Sequence, residues 1–191
     1  MVARGTKVSN VANWGQAGSQ RRLIVLRGNS ASGKSTVAAQ IRAQYGRGVA
    51  IVGQDNLRRT VLQERDVPDG ANIGLIEQVA RYALNAGYHT IVEGILYAPR
   101  YGPMLQRLAD SHAGPSRWYY FDVPFEETLR RHAGKPQAAE YGRAEMSRWY
   151  RDKDLLPGGV EAIVHADSSL ENTVQRIMRD AGLAAASAAS A

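Results

Sequence analysis

The sequence predicts an α/β protein: a five-stranded parallel sheet with helices on both faces. Two observations carry that prediction. Five short apolar runs, at residues 23–26, 49–52, 88–92, 116–123 and 160–164, alternate with longer segments of helical periodicity. The first run opens directly into Gly28-Asn29-Ser30-Ala31-Ser32-Gly33-Lys34-Ser35-Thr36, which fits the pattern G-x-x-x-x-G-K-[ST] between a strand and a helix.

Residues 1–20 are rich in Gly, Asn, Ser and Ala without a periodic apolar face and are expected to form a loosely held arm. The folded domain is expected over residues 21–183. Glycines in the cradle after the first strand turn amide N–H groups inward, and the next helix adds its positive N-terminal end, so a polyphosphate is the natural ligand. Lys34 is placed to reach the β- and γ-phosphates, and the Ser35 hydroxyl to take one position on Mg²⁺. Val37, Ile41 and Tyr45 form the buried face of that helix, which Gly46 and Gly48 end. The second strand delivers Asp55 to the sheet edge where open α/β folds bind ligands; Asp55 also suits the N-cap of a helix marked by Leu57, Val61 and Leu62.

Ile73, Ile76, Val79, Ala80, Ala83 and Leu84 predict an amphipathic helix closed by Gly87. The third strand delivers Glu93, a carboxylate suited to holding Mg²⁺ through water or orienting an attacking group, or simply an exposed strand-end acid. Pro103 is expected to open a helix with Met104, Leu105 and Leu108 on its core face. Pro124 starts another, with Glu126 and Glu127 in its first turn and Arg130, Arg131 and His132 in its last. That order suits the helix dipole, and it also suits arginines carried by a closing lid, expected over about residues 130–150 with Lys135 beyond the helix. Residues 138–152 read as helical, with Glu140–Arg143 and Glu145–Arg148 in pairing reach. Tyr97, Tyr101, Trp149 and Tyr150 are candidates for an acceptor pocket or for core packing. Ser168 to Glu171 reads as a capping box for a last helix ended by Gly182, and residues 184–191 as a disordered Ala/Ser tail.

A chain of 191 residues holds one well-buried domain and little more. It has no cysteine, and its four histidines are scattered without ligand spacing, so a protein-built zinc site is not expected. Nor is there an apolar run of about eighteen residues, which argues against a membrane span and for the cytoplasm. The net charge is +6, and no acid precedes Asp55. Arg21, Arg22, Arg27, Lys34, Arg42 and Arg47 are therefore expected around the phosphate site, favouring anionic ligands. Basic runs interleaved with aromatics are missing, so nucleic acid is not the expected partner. Oligomeric state is left open.

On these motifs the chain, from about Arg21 to Gly182, resembles the small P-loop kinases, chiefly the AAA_33 branch that holds chloramphenicol phosphotransferase and the zeta toxins. Adenylate and gluconate kinases are more distant. The resemblance implies the three-layer P-loop NTPase fold with a short lid, and ATP and Mg²⁺ as cofactors. In that branch an Asp after the second strand, often followed three places later by an Arg, deprotonates the acceptor hydroxyl; Asp55 and Arg58 match. Glu93-Gly94 resembles the Asp-Gly of nucleoside monophosphate kinases, Arg130 or Arg131 their lid arginines, and Asp167-Ser168-Ser169 the segment that passes the adenine. Glu in place of Asp at 93, the position of Arg100 and the short lid depart from those kinases and point to a neutral or sugar-like hydroxyl. The expected activity is an ATP- and Mg²⁺-dependent phosphotransferase acting on a hydroxyl of an antibiotic, a sugar or a nucleotide sugar. Asp55 and Lys34 would act with Arg130 or Arg131, and Arg58, Glu93, Tyr97 and Trp149 would face the substrate. A nucleoside or nucleotide kinase and a non-catalytic nucleotide-binding regulator are the alternatives.

Overall fold

The structure, a computed structural model, describes residues 20–184. The expected arm before residue 20 and the tail after residue 184 lie outside the described residues. Strands β1 (Leu23–Gly28), β2 (Val49–Gly53), β3 (His89–Gly94), β4 (Ser116–Asp122) and β5 (Ala162–His165) form one parallel sheet in the order β2-β3-β1-β4-β5. The chain steps outward to β2, returns through β3, then crosses β1 to reach β4. This reversal on either side of β1 opens a crevice at its carboxyl end.

β1 is the only strand with every residue buried among the described ones, which its unbroken apolar run permits. Alternation divides it between two cores. Ile24 and Leu26 pack with Val37 and Ile41 of α1 (Lys34–Tyr45) and Val174, Ile177 and Met178 of α6 (Leu170–Ala181). Leu23 and Val25 pack on the other face with Ile76 and Leu84 of α2 (Ala71–Asn85) and with Met104 and Leu108 of α3 (Ala98–Asp110). Two shorter helices, α4 (Phe125–Ala133) and α5 (Arg143–Trp149), lie between β4 and β5 in the chain. No described helix is long and apolar enough to cross a membrane.

Several local expectations are corrected. α3 begins at Ala98 with Pro99 in its first turn, and Pro103 lies inside the helix. Its missing N–H is tolerated because the helix is held by its buried face rather than by every ladder bond. The helix expected over 138–152 is cut to α5, because Gly142 is extended and the stretch before it forms a single tight turn, Pro136–Ala139. Glu140 therefore lies off the helix and pairs with Arg59 (2.9 Å), while Arg143 pairs with Glu126 and Glu145 caps the Gly142 N–H (3.1 Å). α6 is capped one residue later than expected: Ser169 Oγ accepts from Asn172 N at 3.1 Å. β5 starts at Ala162, after a tight turn at Pro157–Gly159.

Candidate active site

β1 ends against its neighbour so closely that a Cβ on Gly28 would stand 2.7 Å from the Phe121 carbonyl oxygen, and Gly28 itself has φ +141°. Glycine is thus required by both space and backbone. The loop that follows turns through Ala31 (φ 58°) and Gly33 (φ 107°) into α1. Inside it, Lys34 Nζ donates to Asn29 O at 2.8 Å and to Ser32 Oγ at 3.1 Å. The ammonium is buried, and desolvation lowers its pKa from 10.5 to about 8 against the opposing pull of Glu93 and Asp55. A buried cation of this kind is poised for a polyanion that restores its lost solvation.

Ser35 Oγ donates to Glu93 Oε2 at 2.9 Å. β3 puts Glu93 in register with Leu26 of β1 and Gly53 of β2, at the centre of the crevice. Burial raises its pKa, while Lys34 and the Ser35 hydroxyl oppose the rise. A Cβ on Gly53 would lie 2.9 Å from Glu93 Oε1, so the small residue makes room for the carboxylate. Two hard oxygen donors side by side next to the cradle suit Mg²⁺, and the residues present fit that ion together with a polyphosphate. Among the described residues no group of three His, Cys, Asp or Glu could hold a metal on its own.

Asp55 lies one residue beyond the Gly53–Gln54 step at the end of β2. Its backbone is helical (φ −62°, ψ −38°) and its side chain makes no cap bond, so it is not an N-cap. Oδ1 instead accepts from Arg58 Nη2 at 2.8 Å, and the carboxylate is 68 % exposed. The turn that follows, Asn56–Val61, is π-helical, and Leu62 N reaches Leu57 O at 3.1 Å. Asp55, Lys34, Ser35, Glu93, Lys135 and Tyr141 line one cleft of about 590 Å³.

The cations expected on a lid separate sharply. Arg131 is fixed to the cradle: Nη1 donates to Ser32 O (3.1 Å), Nη2 to Ala166 O (2.9 Å) and Nε to Glu127 (2.7 Å). Arg130 is spent on a two-point pair with Glu127 and is 74 % exposed. Both arginines hold the Glu127 carboxyl down at about 2. Of the three, Lys135 lines the cleft, where Arg59 also stands, paired with Glu140. The wider cation cluster expected from the sequence does not form. Arg21 and Arg22 precede β1 and stand about 20 Å from the cradle. Arg42 lies some two turns along α1, about 12 Å away, and lines a separate hollow with Arg47. Arg27 is fully buried between Asp154 (2.9 Å) and Glu161 (2.8 Å).

A second cavity, of about 750 Å³, lies across the loop after β3: Ile95 faces the cleft and Tyr97 faces this cavity. Ile73 and Met104 give it an apolar floor, and Arg100, Arg107 and Arg151 line it. Tyr97 OH donates to Trp149 O at 2.5 Å, and its ring lies under the guanidinium carbons of Arg100 (5.4 Å) and Arg151 (5.3 Å). Trp149 itself stands edge-on to Tyr141, which stacks on His132. Tyr101 is not a pocket residue. It is buried, and its hydroxyl joins Gln54, Asp66 and Asn72. Tyr150 packs against Phe125.

Three functional contacts escaped the sequence reading. They are the stacking of Tyr141 on His132 beside the cleft, and two that join residues far apart in the chain, Asn29 to Arg151 and Arg27 to Asp154 and Glu161. Only Arg27 left a trace, since a cation in a strand buried on both faces demands buried acids somewhere.

Comparison with known proteins places this geometry. A family model described as an AAA domain, AAA_33, matches residues 23–154. Comparison with curated proteins by sequence finds no match. Among solved structures, the APS kinase of Mycobacterium tuberculosis, in complex with AMPPNP and APS, is similar at 19 % identity with a TM-score of 0.66, over 84 % of this chain and 97 % of that one. A tunicamycin resistance protein of Deinococcus radiodurans is similar at 15 % identity and TM-score 0.61, covering 88 % and 99 %. A gluconokinase of Sinorhizobium meliloti 1021 is similar at 16 % and 0.55, covering 86 % and 95 %. Because the family model matches more than half of the chain, the chain belongs to the AAA_33 family, and its parallel five-stranded sheet with helices on both faces is the fold of the small P-loop kinases.

Proposed function

We propose that the protein is an ATP- and Mg²⁺-dependent phosphotransferase that moves the γ-phosphoryl group to a hydroxyl of a small molecule. The observation that supports this best is the meeting of Lys34, the Ser35–Glu93 pair and Asp55 in one cleft beside a second cavity large enough for an acceptor. Bound in the cleft, the nucleotide supplies the phosphoryl group and the metal neutralises charge on its phosphates. Cradle amides and Lys34 hold the phosphates, and Ser35 and Glu93 offer oxygens to the metal. Asp55, oriented by Arg58, takes the proton from the acceptor hydroxyl. Lys135 supplies the lid cation, Arg131 stiffens the cradle, and Arg130 has no part in the reaction. Tyr97 and Trp149 wall the acceptor.

Arg151 in a wall that also holds Asp69, Asp154 and the Glu77-paired Arg107 suits an acceptor with both hydroxyls and an anionic group, such as a nucleotide sugar, and nucleotide kinase stays the alternative. In this reading the partner is a small molecule rather than nucleic acid or a membrane, and the site of action is the cytoplasm. The test is transfer of label from γ-labelled ATP to fractionated metabolites, with Lys34→Ala as control. Asp55→Asn is expected to cut transfer by roughly 10²- to 10⁴-fold while nucleotide binding persists. Unchanged transfer in that variant removes Asp55 from the base role, and label found only in phosphate released to water supports a nucleotide-binding regulator instead.

A further inference from the structure

The cradle and the acceptor cavity are joined by one side chain. Asn29 is 5 % exposed, and both ends of its amide bond the backbone of a single residue 122 positions away: Nδ2 donates to Arg151 O at 2.7 Å, and Oδ1 accepts from Arg151 N at 2.9 Å. Only one orientation of the amide satisfies both bonds. Aspartate would set a carboxylate against the Arg151 carbonyl, and glutamine would be one methylene too long.

On the cradle side, the carbonyl of the same residue accepts from Lys34 Nζ at 2.8 Å. On the acceptor side, the Arg151 guanidinium lies over the Tyr97 ring (5.3 Å), with its own N–H groups on the Arg148 and Tyr150 carbonyls. Tyr97 in turn holds Trp149 O. Three residues further on, Arg27 grips Asp154 through both its carbonyl and its carboxylate (2.9 Å each), so the segment 151–154 is pinned twice to the end of β1 and the start of the cradle. Drawing Lys34 toward a phosphate pulls on the Asn29 peptide. That peptide carries the side chain that sets Arg151.

We propose that Asn29 is a positioning residue that relays nucleotide occupancy of the cradle to Arg151 and Tyr97 in the wall of the acceptor cavity. The relay rests on the kinase reading above for its purpose, and it makes the acceptor wall take its working shape only after the donor has bound.

Hydrogen-exchange mass spectrometry of peptides spanning residues 148–156, with and without saturating AMPPNP and Mg²⁺, tests it on the full chain. Saturation is set for each protein from its own binding curve. Nucleotide is expected to slow exchange in wild type by about tenfold, the scale of two hydrogen bonds. In Asn29→Ala that nucleotide-dependent slowing falls below about twofold. Asn29→Asp, which keeps the acceptor oxygen and the shape, provides the same reading should the alanine variant fold poorly, and its slowing is expected to lie between the two. A merely structural role would speed exchange equally with and without nucleotide, and that result overturns the relay. So do full nucleotide-dependent protection in the variants, none in wild type, or loss of AMPPNP binding in Asn29→Ala and Asn29→Asp. Failure of wild type to bind AMPPNP overturns the kinase reading itself, and the relay with it.

Discussion

Burial of Lys34 makes nucleotide binding depend on pH in a calculable way. Its pKa falls from 10.5 to about 8 in the folded chain. The gap is about 2.5 pH units, or roughly 3 kcal/mol. The direction follows from which state holds the proton. Below pH 8 the lysine is charged in both states, and the folded chain bears the full cost of burying the charge. Between pH 8 and 10.5 the unfolded chain holds more protons, so this group's contribution to stability rises with pH across that window. A polyphosphate returns a counter-charge to the ammonium and pulls its pKa back up. Binding at pH 8 should therefore take up about half a proton, and affinity should fall by up to about tenfold per pH unit above it. Isothermal titration at pH 8 with ATP and excess Mg²⁺, in two buffers of different ionisation enthalpy, reads the proton count. Lys34→Met removes the buried charge, so without nucleotide at pH 7 its thermal midpoint should rise by ~5–10 °C. No proton uptake together with a lowered midpoint would show that the buried Lys34 ammonium carries no desolvation cost.

Two further predictions separate neighbouring side chains. Lys135→Ala should lower the rate of label transfer by about 10- to 10³-fold, because Lys135 lines the cleft and Arg59, the cation across from it, is paired with Glu140, whereas Arg130→Ala should stay within about twofold of wild type; the reverse order would return the lid role to Arg130. Arg27→Met leaves Glu161 and Asp154 without their shared cation in the core, which should cost about 3–5 kcal/mol. Urea unfolding followed by circular dichroism checks it, and a loss under about 1 kcal/mol would show that water reaches these carboxylates.

Legibility in the sequence follows the range of the interactions. The cradle was readable because its glycines, Lys34 and Ser35 act through a continuous nine-residue loop with a strand before it and a helix after. Asp55 and Glu93 were readable because a parallel sheet brings the ends of successive strands to one edge, so their positions follow from topology alone. The segment expected to form a lid was read less well. α4 was found through its dipole-ordered charges, yet the same order hid the division of labour in which Arg130 neutralises Glu127 and Lys135 faces the cleft. The proposed cation cluster failed for a related reason: a shortage of acids in the sequence does not bring cations together in space. Arg27, which looked like part of it, is neutralised by Asp154 and Glu161 from the far end of the chain.

The same contrast runs through the site. Its donor side is built from buried groups whose geometry the core fixes: β1 is sealed on both faces, Gly28 touches Phe121, and Lys34 and Ser32 are almost without exposure. The side proposed for the acceptor rests on exposed groups held by few bonds, with Asp55, at the edge of the cleft, 68 % exposed and tethered chiefly by Arg58. Arg151 keeps its guanidinium on two backbone carbonyls and the Tyr97 ring. Rigid groups can bind a common donor without adjustment, but they cannot make the acceptor wait for it. That ordering needs a contact with one end in the rigid half and the other in the adjustable half. Asn29 meets the requirement: its backbone carbonyl belongs to the buried cradle, and its side chain belongs to Arg151.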